Sequence, residues 1–577
     1  MQAVSGIDVA VIVVYIFVSL ILGVFASRIL KTNTHKEEGF FLGGRKVPGW
    51  LNGVSYAATI VNADVAPAYF GMAVVIGLPV CWFYLSRFAF GLLVAGLLFA
   101  ARWRRLGVAT GPEFFTLRFA GTGGKFIRIW SSVVSVLFGL VPWIGAGLLG
   151  MHMILGPFLG LDSKTMTLLI VVPVLIMYVL VSGFAGVLVT DLIQTVIIIV
   201  GSLAMMISVL VAVGGPSAIA EGIVAAQGAD ASGILSVLPQ PGHEVFGPVM
   251  VIAWFLVATI GVGGNYSYEG QRILSCSTVK DAVKVNVWAE VILFAMLMLM
   301  TLPALGALVF FPEYYHATPA IRETVYSRML MEYVPTGLRG LAYAALMASV
   351  MSTVSGQVNY GAQTLLNDVV KPIFGKLEDQ KAVWLGRVLM VAVLMLGIVV
   401  VYYSKSLVDI AVLVMGLFSS TALVGWGQWW WWRTNIWSWV SANIAGPVVY
   451  FSLGPILAHV TWWEQQINSG PSMYQQMNML KALISIAITT TVWITVTLLT
   501  KPAPMESLKT FYIKARPMGL WGPVRRAAIE TNPEILQATQ KGLIVGGILT
   551  ALAGVAWMSL TVMGISKLFV AQNNLGM

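Results

Sequence analysis

The stretch LAYAALMASVMSTVSGQVN (341–359) is nearly all apolar or small, yet it carries four alcohols: Ser349, Ser352, Thr353 and Ser355. Spaced i, i+3, i+4 and i+6, they fall largely along one face of a helix. Hydrocarbon offers no water to a hydroxyl, so oxygens buried there need one another, a backbone group or a ligand. A hard cation that has shed its hydration shell needs a cluster of oxygen ligands of this kind. The competing explanation is that small hydroxyl residues let two membrane helices pack closely and hydrogen-bond each other.

Two further stretches place polar chemistry inside apolar runs. GWLNGVSYAATIVNADVAPAYFGMAVVIG (49–77) holds Asn62, Asp64 and Pro67 near its middle. Pro67 lacks a backbone donor, and its ring clashes with the preceding turn. The pattern predicts a broken helix whose freed carbonyls line a cavity or meet an ion; an ordinary proline kink is the alternative. GFAGVLVTDLIQTV (183–196) places Asp191 and Gln194 a short way into the membrane from the cytoplasmic side. A carboxylate in a span costs about 2.5–3.5 kcal/mol, so it must face protein or water and meet a positive partner. An alkali cation, Arg87 or a loop lysine could serve.

These stretches need a membrane around them, and the composition supplies one. Of 577 residues, 58% are hydrophobic and 10% charged, against about 25% charged in soluble proteins. Runs of about 20 apolar residues recur near 7–27, 48–75, 79–101, 126–157, 164–183, 187–213 and 247–266. They continue near 283–311, 336–369, 382–403, 408–432, 436–458, 478–499 and 541–566, giving fourteen spans of an all-α integral membrane protein. The net charge of +10 is spread over short loops, as the positive-inside rule requires, and does not mark a nucleic-acid surface. Segments 28–47, 102–128 and 501–541 are basic, whereas 214–246 contains no Lys or Arg. Both termini are therefore expected on the extracytoplasmic side. The segment 312–335, with Arg322 and Arg328 beside Glu313, Glu323 and Glu332, is expected to form a small extracellular helix. The N-terminal run lacks a basic leader and a cleavage site, so it reads as a retained span.

Trp426 and Trp429–Trp432 suggest an interfacial belt, with ligand stacking as the alternative. Segment 505–530 reads as an amphipathic stretch along the inner membrane surface. Cys81 and Cys276 form no disulfide or metal pattern, and HExxH, P-loop and GxSxG signatures are absent, so an enzyme is not expected.

Five stretches, in order, resemble the sodium:solute symporter family. They are FFLGGRKVPGWLNGVSYAA (40–58), GPEFFTLRF (111–119), GVLVTDLIQ (186–194), YEGQRILSCSTVKDA (268–282) and GLRGLAYAALMASVMSTVSGQVN (337–359). WWWRTN (430–435) adds a weaker match. The resemblance implies a leucine-transporter-like fold of two inverted five-helix repeats, 48–213 and 247–432. An extra N-terminal helix and loop (1–47) precede them, and about three helices follow (433–577). It also implies a sodium site formed by the backbone carbonyls of Ala58, Val61 and Ser349 and the hydroxyls of Ser352 and Thr353. A second sodium site, described for the sialic acid members, matches at Ser352, Ser355 and Asp191, but Gly356 replaces one of its serines.

The solute positions depart from the galactose and proline patterns. Val65, Tyr84 and Arg87 stand where galactose members have polar residues. Leu293 replaces a lysine, with Glu290 one turn away. Tyr268 matches the tyrosine that lids the sugar, Tyr266 replaces a neighbouring asparagine, and Ile60 aligns with the aspartate of the proline members. Arg87 suits a carboxylate, held by two parallel hydrogen bonds, or else it neutralises Asp64 or Glu290. Tyr69, Tyr84 and Tyr268 could frame a ring. The expectation is sodium-coupled symport of a small polar organic solute, a sugar or a carboxylate-bearing one, across a bacterial inner membrane, with the lipid bilayer as surroundings and no obligate protein partner. A proton-coupled carrier using Asp64 or Asp191, or a transporter-like sensor, are the alternatives.

Overall fold

Backbone in hydrocarbon can hydrogen-bond only with itself, and every regular element among the described residues is a helix. The computed structural model describes residues 5–571 apart from 62–64, 86–89, 241–246, 263–267, 405–406, 470 and 535–539. Eight of the described helices are long and apolar enough to cross a membrane. The sequence count is higher because several expected spans are interrupted. The stretch 48–75 is two short helices, α2 (Gly49–Ile60) and α3 (Val65–Ile76). Similarly, 247–274 contains α6 (Pro248–Val262) and α7 (Tyr268–Leu274).

The expected spans 164–183 and 187–213 instead form one continuous element, α5 (Lys164–Val213), bent at Gly183. Gly183 has φ 54° and ψ −166°, and a Cβ there would stand 2.9 Å from the Phe40 ring. Only glycine suits both the conformation and the space. The chain turns a corner here without spending a loop.

The hydroxyl-bearing stretch becomes α9 (Leu338–Leu365), the most enclosed of the spans. Of its most apolar stretch 94% is buried, against 28% for α1 (Gly6–Ile29). Helices α1, α2, α4 (Val141–Leu159), α5 and α10 (Asp379–Tyr403) all pack on it. The alcohols of α9 therefore face protein on every side. Helix α2 also lies along α8 (Val279–Phe310), where Gly53 permits an approach that a Cβ, 2.4 Å from Trp288 Cβ, would block.

Helix α1 turns Ile7, Val14 and Phe17 outward and buries Asp8, Ile12, Tyr15 and Ser19. Asp8 anchors it. One carboxylate oxygen accepts from both Arg339 Nη2 (2.8 Å) and Arg339 Nε (3.0 Å), and the other accepts from the amides of Gly337 (2.7 Å) and Gly340 (2.8 Å). These amides are orphans of the first turn of α9, so an acid from another helix caps it.

Three sequence expectations are corrected. Trp429, at the end of α11 (Leu407–Trp430), is not part of a lipid-facing belt, whereas Trp426, Trp430, Trp431 and Trp432 are half-buried. Trp429 is 1% exposed, and its carbonyl accepts from the indole of Trp521 at 2.7 Å. Segment 505–530 folds as α14 (Met505–Ala515) and α15 (Gly522–Thr531). It spends its apolar face on protein through Leu508, Phe511, Tyr512 and Trp521, all buried. Arg118 completes this junction, donating to the carbonyls of Trp432 (3.1 Å) and Thr434 (3.0 Å) beneath the Trp521 ring. Finally, 312–335 holds three short helical pieces instead of one, with Arg328 paired to Glu313 and Glu332.

Candidate functional site

Helix α2 stops at Ile60, and Val61 leaves helical geometry with φ −79° and ψ 82°. Pro67 is the third residue of α3, in the first turn, where a missing amide costs nothing. Residues 62–64, between the two helices, lie outside the described residues. The Val61 amide still donates to the Ala57 carbonyl at 3.1 Å. Ala58, Thr59 and Ile60 belong to the last turn of this helix, where carbonyls lie beyond the reach of regular intrahelical bonding. Ala58 and Val61 are buried at this end, 0% and 1% exposed.

Helix α9 meets the break. The Thr353 hydroxyl donates to the Thr59 carbonyl at 2.8 Å, joining residues 294 positions apart. On either side of it, Ser349 donates to the Leu346 carbonyl (3.1 Å) and Ser355 to the Ser352 carbonyl (3.0 Å). A hydroxyl has one proton and two lone pairs. All three protons are thus spent on carbonyls, and lone pairs remain to accept. That polarity suits a cation. The Ser352 hydroxyl is fully buried, and it lies beside the Asp191 carboxylate.

Asp191, on α5, has a partner that the sequence reading did not name. Arg272 of α7 stands 3.5 Å from Asp191 Oδ2, both side chains 0% exposed. Ser55 links them: its hydroxyl donates to Asp191 Oδ2 at 2.5 Å and accepts from Arg272 Nε at 3.0 Å. Arg272 Nη2 also donates to the Thr59 hydroxyl. Ser55, Thr59 and Arg272 were all missed. The available signal was the basic residue of YEGQRIL (268–274), the stretch that forms α7. Its neighbour Gln271 donates to the Phe41 carbonyl (2.7 Å), Asn359 Oδ1 (2.8 Å) and Gln363 Oε1 (3.0 Å). Gln194 turns away from the site, donating to the Tyr15 hydroxyl at 3.1 Å.

Of the solute-position residues, Tyr69 and Tyr84 meet, their ring centroids 5.4 Å apart. Phe83 bridges Tyr69 (5.3 Å) to Trp254 of α6 (4.8 Å), and Tyr84 lies beside Thr301 of α8. Glu290 and Leu293, also on α8, are buried at 2% and 1% exposure. Asp64, Arg87 and Tyr266 lie outside the described residues, as do the side chains of Val65 and Tyr268.

Comparison with known proteins agrees with this geometry. Residues 40–425 match the model of the sodium:solute symporter family. Mouse solute carrier family 5 member 4A is 25% identical over 421 residues, covering 66% of this chain and 61% of that protein. Mouse sodium/glucose cotransporter 1 is 25% identical, covering 68% and 62%. The sodium/glucose cotransporter of Vibrio parahaemolyticus is 25% identical over 408 residues, covering 68% and 74%. The chain thus spans about three fifths of the mammalian relatives. Among solved structures, a Na+-coupled sialic acid symporter in a substrate-bound outward-open state, with a novel Na+ site, superimposes with a TM-score of 0.67. The identity is 17%, covering 87% of this chain and 99% of that one. The fold is accordingly leucine-transporter-like, and the chain belongs to the sodium:solute symporter family.

Proposed function

We propose that this chain couples the inward movement of sodium to that of a small polar organic solute, a sugar or a carboxylate-bearing compound, by alternating access. The carrying observation is the hydrogen bond from Thr353 of α9 to the Thr59 carbonyl where α2 breaks. It puts lone-pair-bearing alcohols against the end of α2 in a buried place. In this reading sodium takes the carbonyls of Ala58, Val61 and Ser349 and the hydroxyls of Ser352 and Thr353. Bound sodium braces α2 against α9 and favours the outward-facing form. The solute sits near Tyr69, Tyr84 and Glu290, with Asp64, Val65, Arg87, Tyr266 and Tyr268 as further candidates. The helix pairs α2 with α3 and α6 with α7 support inverted repeats over 48–213 and 247–432, flanked by 1–47 and 433–577. A bacterial inner membrane with both termini outside is the proposed setting.

One positive charge moving inward gains about 2.3 kcal/mol per 100 mV, and a tenfold sodium gradient adds about 1.4 kcal/mol. Together they sustain a solute ratio of several hundredfold.

Thermal unfolding of the purified protein in sodium against equimolar potassium tests the reading without knowing the solute. A ligand that binds only the folded state raises stability by RT ln(1 + [L]/Kd). Sodium should raise the midpoint, and Ser352→Ala should shift the half-maximal sodium concentration upward by about tenfold or more, a loss of about 1.4 kcal/mol. Equal midpoints in both salts would remove the sodium site.

A further inference from the structure

Helices α12 (Ile436–Ala458) and α13 (Pro471–Leu499) pack side by side, and a short helix between them, Thr461–Asn468, packs on both. Asn435, which caps α12, donates to the Lys501 carbonyl just past α13 at 3.1 Å. The basic segment 501–541 therefore starts at that end of the pair, and the short helix lies at the other. There the three helices border a cleft of about 260 Å³, lined by Gly454, Ala458, Glu464, Asn468, Asn478 and Lys481 among others. That is close to the lower end of ligand-pocket sizes, about 300 Å³. Lys481 is the only charged residue of the apolar stretch 476–499. It is half-buried, with Nζ 4.3 Å from the centre of the Tyr450 ring of α12. Glu464 is exposed on the same cleft, and among the described residues no ion pair joins it to Lys481. The wall at Gly454 is open, since a Cβ there would meet nothing within 4 Å.

We propose that this cleft seats the headgroup of a phospholipid bearing a primary ammonium, phosphatidylethanolamine. The reason is charge complementarity at the depth where headgroups lie. A lysine near the end of a span lifts its ammonium toward the interface while its stem stays in apolar surroundings. The Tyr450 ring steadies that ammonium and leaves its N–H groups free for a phosphate, the charge-assisted partner it favours. Asn468 and Asn478 add amide donors for the remaining phosphate and ester oxygens. Glu464 then answers the ammonium of the lipid, which can donate hydrogen bonds to a carboxylate. A choline headgroup has no N–H to give, and a glycerol headgroup has no positive charge. The helical face of Ala458 and Gly454 continues through Phe451 to Ile444, both exposed, at the i, i+3, i+4 spacing of one stripe. That stripe offers the acyl chains an apolar track leading away from the cleft.

Native mass spectrometry of the protein released from nanodiscs holding equal parts of phosphatidylethanolamine, phosphatidylcholine and phosphatidylglycerol reads which lipid stays bound. One phosphatidylethanolamine per chain should be retained severalfold over the other two. Equal retention of all three would overturn the proposal, and so would preference for phosphatidylglycerol, the sign of a bare basic surface. Three substitutions place the bound lipid. Lys481→Met keeps the stem beside Tyr450 and should cut phosphatidylethanolamine retention at least threefold. Glu464→Gln, at an exposed position, should bring it down to the level of phosphatidylcholine and leave phosphatidylcholine unchanged. Gly454→Leu fills the cleft without touching a charge and should cut retention as far as Lys481→Met does. All three proteins should unfold at the parent's midpoint in lipid-free detergent. Undiminished phosphatidylethanolamine in the Glu464 and Gly454 variants would put the lipid elsewhere and overturn the assignment.

Discussion

Thr353 donates its proton to the Thr59 carbonyl and still keeps two lone pairs. It can therefore tie α9 to α2 and face a cation at the same time, which neither a carbonyl nor a carboxylate can do alone. Thr353→Val keeps the shape and removes both abilities. The lost hydrogen bond should cost about 1 kcal/mol of stability in potassium, and sodium should no longer raise the unfolding midpoint. Thr353→Ser should restore both, and a valine variant that retains sodium stabilisation would show the hydroxyl to be structural only. At this scale much was legible. The alcohol row of α9 and the proline-marked break of α2 are local patterns, and a run of adjacent residues carries them. Arg272 was not legible as a partner of Asp191, because charge pairing between separate helices leaves no trace in spacing. Ser55 and Arg272, in hydrogen-bond contact, are 217 positions apart.

Among the elements, α1 shows how a helix with a lipid-facing side still belongs to the core. Its hold on α9 is the buried pair of Asp8 and Arg339, 2.8 Å apart with 0% and 1% of their side chains exposed. Removing one partner of such a pair strands the other charge and typically costs 3–5 kcal/mol. Asp8→Asn should lower stability on that order, about 3 kcal/mol, and should release the first turn of α9, which thermal unfolding and hydrogen exchange at residues 337–341 would report. A variant as stable as the parent would mean that α1 is held by apolar packing alone. The tryptophan-rich end of α11 marks the limit of reading elements singly. Its rings look like an interfacial belt until α14 and α15, about ninety residues later, fold back to cover Trp429 through Trp521.

Across the whole molecule, long-range contacts fasten the end of the bundle that carries the basic loops. Arg45 donates to the carbonyls of Gly107 and Val108, each at 3.0 Å, Arg128 pairs with Asp368 at 2.6 Å, and Lys371 pairs with Glu37. Cys276 lies fully buried among them, its carbonyl accepting from Arg104 at 2.7 Å. If sodium favours the outward-facing form, it should keep this end shut. In a Cys81→Ala background, labelling of Cys276 by a membrane-permeant maleimide should be several-fold slower in sodium than in potassium. Arg45→Ala should speed labelling in both salts. Labelling that ignores sodium would separate ion binding from closure of this end. The sequence by itself determined the membrane setting, the helical class, the broken helix and the oxygen-rich face, because each follows from the solvent a segment must live in and from neighbours one or two turns away. Only the tertiary structure decided which charge answers Asp191, what covers the tryptophans and how the corner at Gly183 is turned. Those outcomes depend on which distant surfaces share a volume, and that is settled when the helices pack.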